Sequence, residues 1–242
     1  MKPIDRNISK MLRDIKYIRS AIEKNGDNLR RIFYTRSYRI VFWLGGIGII
    51  FLSGIFHYFM QKYGSIEQIP AQHRVILISS SIAFLILIGL IKLGGFRFLW
   101  EKYPGESIFS LFIKIIGRSM IKIYFIVGIL IIYFSIYFIV TNQAHYIFPI
   151  VSIGVGILFS ALGNQFTFFE LFLCGLMLIL PAAISVPFLA QSPESVWLWA
   201  GFSFGISFTF LGFFMEFKIQ SGNKRSLKKA TKGKTGATRN KE

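Results

Sequence analysis

Charge is scarce in these 242 residues: Asp, Glu, Lys and Arg make up 16% of the chain, where a soluble domain carries about 25%. Acids are scarcer still, with 11 against 28 Lys and Arg. A single cysteine, Cys174, excludes an intramolecular disulfide, and its place inside an apolar run reads as a buried structural thiol. The three histidines, His57, His73 and His145, match no metal-binding spacing, and no cysteine or carboxylate cluster completes a site. The chain also lacks a paired-Glu-plus-His metalloprotease set, a Gly-flanked serine facing a histidine, histidine boxes and a Walker-type phosphate loop. No catalytic residue, metal or cofactor is expected, and the chain reads as a non-enzyme. The first 38 residues are polar and charged, with no short apolar stretch ending in a small-residue cleavage site. No cleavable signal peptide is expected, and the first span must itself direct insertion.

What the chain has in quantity is apolar. It is 53% hydrophobic and 17% aromatic, holds 27 Phe, and has a mean hydropathy of +0.55. Its charges cluster and leave apolar runs of roughly 20 residues, the length of helix that crosses a bilayer. The fold class expected is all-α integral membrane, with transmembrane helices at 40–60, 75–95, 120–140, 146–163, 168–190 and 196–217. Residues 1–39 read as a basic cytoplasmic segment with an amphipathic, coiled-coil-like helix, and 218–242, rich in Lys, Gly and Thr, as a disordered tail.

The positive charges orient this domain. With the N-terminus inside, 26 of the 28 Lys and Arg fall on the cytoplasmic side, in 1–39, 92–122 and 218–242, and Lys62 and Arg74 remain outside. The inverted topology would violate the positive-inside rule almost completely. Both basic ends then share a side, which requires an even number of spans; six is the simplest fit, and four, with one hairpin misread, is the alternative. The net charge of +17 follows from that orientation and from attraction to anionic lipid head groups, not from nucleic-acid binding.

Three patterns inside this frame point to packing or binding. Ser152, Gly156 and Ser160 recur every four residues, and Asn164 continues the row. Gly201, Gly205 and Thr209 do the same in the last span. Small residues at that spacing let helix backbones approach closely. Pro181 and Pro187 are expected to bend the fifth span. Glu170 lies in the first turn of that span, where a carboxylate is favoured. Lys92 and Glu216 fall at the same cytoplasmic level, so Glu170 is expected to pair with Lys92. With Asn164, Gln165, Lys92 and Glu216 it also forms the candidate polar site of an alternative reading, a small-solute or ion transporter.

Two amphipathic segments lie outside the spans. Ile108, Leu111, Phe112, Ile115 and Ile116 share one face opposite Ser107, Ser110, Lys114 and Arg118, the pattern of an interfacial helix between spans two and three. Near the N-terminus, Ile4, Ile8, Met11, Ile15, Ile18 and Ile22 are spaced as a heptad seam. That seam suits self-association or a partner helix, and Lys10, Arg13 and Lys16 suit an anionic lipid surface.

The stretch Lys16-Tyr17-Ile18-Arg19-Ser20-Ala21-Ile22-Glu23, followed by the Gly-rich 42–54, resembles the start of certain uncharacterised bacterial multi-pass membrane proteins. Residues 147–176, with Gly154, Gly156, Gly163, Glu170 and Gly175, are similar to their later spans. The resemblance implies a bacterial plasma-membrane protein in a regulatory, scaffold or accessory role, and it transfers no site residues.

Overall fold

The computed structural model describes Leu12, Arg13, Asp14, Lys16 and Ser20, all helical and exposed, and then residues 35–102 and 117–218. The seam residues Ile4, Ile8, Met11, Ile15, Ile18 and Ile22 lie outside the described set, as do residues 103–116 of the interfacial helix and the tail from 219 onward.

The described residues form helices and connecting turns, with no strand among them. Inside a bilayer this is the economical solution, because a helix satisfies its own backbone polar groups where no water can. Six helices are long and apolar enough to span a membrane. They are α1 (Arg36–Tyr63), α2 (Ala71–Lys102), α3 (Arg118–Val140), α4 (Ile147–Gln165), α5 (Phe169–Gln191) and α6 (Pro193–Lys218). The last is composite. A 3-10 turn at Pro193–Ser195 and an α segment at Val196–Ala200 lead into a π-helical stretch, Gly201–Ile206, before α-helix resumes over 207–218.

Several boundaries differ by a few residues from those expected, two of them at basic stretches. The second helix does not stop near residue 95 but continues to Lys102, so the first seven residues of the expected loop are helical. The sixth runs through Lys218, which had been assigned to the tail. In both cases Lys and Arg follow the apolar run, and such residues are good helix formers once they reach the interface. The fifth helix stays continuous through both prolines.

Turns occur where the backbone is forced out of the helical region. Gly64, at φ 78°, caps α1 and donates its N–H to the Met60 carbonyl at 2.8 Å. Between α3 and α4, Asn142 takes φ 57°, and a 3-10 turn, Ala144–Tyr146, follows. Thr167, at φ 53°, reverses the chain between α4 and α5.

Helix α6 packs on both α1 and α5, and α5 packs on α4. The two remaining helices flank this core, α2 on α1 and α3 on α4. Phe168, which caps α5, Leu171, Cys174 and Leu178 of α5, and Leu211 and Met215 of α6 are fully buried together, walled by Phe42, Val155, Phe159, Phe204 and Phe208. By contrast, Leu77 is the one buried residue of 71–91 and Met120 the one of 120–140, among the described residues. Outward-facing Ile, Leu and Phe on α2 and α3 cost nothing against lipid tails, which are as apolar as they are.

Lipid removes most of the hydrophobic drive for helix association, so close packing has to hold the core. A Cβ built at Gly156 would come 2.7 Å from the Gly175 carbonyl oxygen, which places the α4 and α5 backbones in direct contact. The equivalent crossing between α1 and α6 is Gly46 against Gly205 and Thr209. A Cβ on Gly46 would meet the Gly205 oxygen at 2.6 Å.

Candidate functional site

The buried polar groups of the core gather at two levels. The first lies near the middle of α5 and α6, where Ser152, Ser203 and the Leu178 carbonyl form a triangle. Ser152 Oγ is 2.9 Å and Ser203 Oγ 3.1 Å from the Leu178 oxygen, and the two hydroxyls are 2.7 Å apart. Both serines are fully buried. Two hydroxyl protons serve three contacts, so one serine donates to the carbonyl while the other donates to its neighbour. Pro181 lies three residues beyond Leu178, and its missing N–H leaves the adjacent Met177 carbonyl without its helical donor. Ser203 belongs to the π-helical stretch of α6, a distortion that recurs at functional sites. Here it coincides with a three-helix junction. One turn away, Cys174 Sγ lies 3.6 Å from the Ser207 carbonyl.

The second level is the end shared by the start of α1, the start of α5 and the end of α6. Glu170 is 3% exposed, and Lys218 Nζ donates to its Oε1. Glu216, two residues before Lys218, pairs instead with Arg39 of α1. Glu216 and Lys218 therefore tie the end of α6 to two different neighbours. Tyr38 and Phe168 are buried at the same end.

At the opposite end, Phe56 and Trp197 stack with centroids 4.5 Å apart, and His57 Nδ1 lies 3.3 Å from the Glu194 carbonyl. These contacts set the end of α1 beside the start of α6, as Arg39 and Glu216 set the start of α1 beside the end of α6, so these two helices are antiparallel.

The residues singled out from the sequence fall as follows. Ser152, Gly156 and Ser160 face α5, with Ser160 Oγ 3.5 Å from the Phe172 carbonyl. Gly201 faces Ser53 and Gly205 faces Ile50, both of α1. The members of the candidate polar site are placed as follows. Glu170 pairs with Lys218; the side chain of Lys92, its expected partner, lies outside the described set. Glu216 is taken by Arg39. Asn164 is exposed, and its carbonyl accepts the Thr167 N–H at 3.3 Å. Gln165 is half-buried beside Gly117, at the start of α3. Helix α2, which carries Lys92, packs on α1, whereas α4 and α6 pack on α5.

Sequence reasoning missed Arg39 and Lys218 as ion partners and Ser203 as a junction residue. A signal for Lys218 was present, since a lysine closing the last span must either snorkel or pair. Nothing local marked Ser203. Among the described residues, no group of three or more His, Cys, Asp and Glu lies close enough to hold a metal. Comparisons of this chain with family models, with curated proteins and with solved structures give no match.

Proposed function

We propose that this protein is a non-enzymatic, multi-pass membrane protein of regulatory, scaffold or accessory type. In this reading it sits in a bacterial plasma membrane with both termini in the cytoplasm, and its basic cytoplasmic segments meet anionic lipid and associate with a second copy or a partner. The observation that carries the reading is the serine triangle. A transporter keeps polar groups near the midplane for its substrate, whereas here the hydroxyls of Ser152 and Ser203 are spent on the Leu178 carbonyl and on each other. Glycine-to-backbone contacts on both sides of α5 and α6 favour the same conclusion. The placement of 26 of 28 Lys and Arg on one side of a six-span chain supports the orientation. The resemblance of 16–23 and 147–176 to bacterial multi-pass proteins supports the compartment.

A specific observation favours the transporter as a second reading: Glu170 is a buried carboxylate within a span, and such residues commonly mark ion or proton paths. Reconstitution separates the two. Purified protein in liposomes is expected to give no proton- or cation-coupled flux above empty vesicles. A flux that Glu170→Gln abolishes would establish the transporter instead.

A further inference from the structure

Between α1 and α2 a groove encloses about 400 Å³. Gly48, Phe51 and Ile55 of α1 and Ile76 and Phe84 of α2 form most of its wall, and Phe59 and His73 close one end. The lining is apolar along nearly all of its length. Ser80 is its hydroxyl-bearing residue, and that hydroxyl already donates to the Leu77 carbonyl at 3.0 Å. Gly48 shapes the deep end, because a Cβ there would collide with the Phe84 ring.

Length and charge together say what fits. On each helix the lining covers eleven residue steps, from 48 to 59 and from 73 to 84. At about 1.5 Å per residue this is roughly 17 Å, close to half of the roughly 30 Å hydrocarbon core. The groove is thus one leaflet deep, with Phe84 near the bilayer centre and His73 at the surface. At the surface end sit Lys62, in the last turn of α1, and Arg74, in the first turns of α2. Phe59 joins the Lys62 side to His73, the neighbour of Arg74 in the chain: its ring lies 6.0 Å from Tyr63, over which Lys62 Nζ is placed at 5.4 Å, and 5.5 Å from the His73 ring. Among the described residues, neither Lys62 nor Arg74 has an ion pair. Glu67, in the connecting loop, is exposed, and no ion pair joins it to either. These are also the two Lys and Arg that the positive-inside count leaves on this side of the membrane. A pair of cations retained against that rule, above an apolar trough one leaflet deep, matches an amphiphile with an anionic head.

The geometry points to a binding site for an anionic phospholipid, with one acyl chain in the α1–α2 groove and the phosphate between Lys62 and Arg74, within reach of His73. The site stands apart from the serine triangle and the Glu170 pair, and it holds under either reading of function.

Local crosslinking tests it, because the basic cytoplasmic segments also attract anionic lipid and would mask a whole-protein measurement. The full-length protein is reconstituted with phosphatidylglycerol or phosphatidylcholine carrying a diazirine in the acyl chain, irradiated, and mapped by peptide mass spectrometry. Labelling of 48–59 and 73–84 is divided by labelling of the exposed face of α3, which reports bulk lipid. The ratio should be several-fold higher with phosphatidylglycerol. Each of Lys62→Gln and Arg74→Gln should reduce that excess on the order of fivefold or to nothing, since one surface cation contributes about that much attraction. Lys62 is exposed and Arg74 half-buried, and neither has an ion pair among the described residues, so the fold is expected to be retained; an unchanged α3 signal checks this. Equal ratios for the two lipids, or an excess that survives the double substitution, would overturn the site. So would a groove that takes no label from either lipid while α3 does, since protein would then cover it.

Discussion

Lys218 closes the sixth span by placing its ammonium on the buried carboxylate of Glu170, 48 positions earlier in the chain. The pair is asymmetric, because the lysine side chain is 53% exposed while that of the glutamate is 2% exposed. Removing the lysine leaves a carboxylate in a low-dielectric site with less compensation, whereas neutralising the glutamate lets the amine turn to water. Lys218→Ala should therefore lower thermal stability in detergent by about 1–3 kcal/mol, and Glu170→Gln by less than about 1 kcal/mol. Unfolding midpoints in the reverse order would mean that the burial of Glu170 is compensated elsewhere.

The Gly46–Gly205 crossing gives a packing prediction with an internal control. A side chain at 205 meets Ile50 and the Gly46 carbonyl, whereas one at Gly54, on the same α1, meets nothing within 4 Å. Gly205→Leu should force α1 and α6 apart and cost about 1–3 kcal/mol. Gly54→Leu should leave the thermal midpoint unchanged. Equal midpoints for the two variants would put the 205 face against lipid.

Replacing either triangle serine by Ala should have a small effect. The remaining hydroxyl still reaches the Leu178 carbonyl, so Ser152→Ala and Ser203→Ala should each cost roughly 0.6 kcal/mol, the usual value of a hydrogen bond between membrane helices. The double variant should lose the sum. A double variant no worse than either single would show that the two bonds do not act separately.

Accessibility to a membrane-impermeant thiol reagent tests orientation. In a Cys174→Ala background, cysteines at Ser65, Gln143 and Ser192 should label from outside intact cells. A cysteine at Ser226 should label only after the membrane is opened. Labelling of the Ser226 position in intact cells would reverse the proposed topology.

The N-terminal heptad seam can be tested by charge exchange. In a parallel pairing, Asp14 at a g position faces Arg19 at the neighbouring e position. Arg19→Asp should reduce crosslinked oligomer in detergent, and adding Asp14→Arg should restore it. A wild type that crosslinks only as monomer would rule out self-association and leave the lipid surface or a partner helix for this segment.

The membrane class, the six spans and the small-residue rows follow from composition and spacing alone. Bilayer thickness sets a length for each apolar run, and period-four small residues mark a face whatever lies opposite. The same local rules reach Glu170, because an isolated acid inside an apolar helix stands out in any sequence. They do not reach its partner. Hydropathy assigns Lys92 and Lys218 to the same end of the membrane domain, and the packing of α6 between α1 and α5 is what brings Lys218 to the carboxylate. The Ser152–Ser203–Leu178 junction is equally illegible beforehand, since one corner is a backbone carbonyl whose availability depends on three helices meeting there. Depth is a one-dimensional quantity that hydropathy encodes. The neighbour at a given depth depends on helix order and rotation, which come from side-chain packing across the whole bundle.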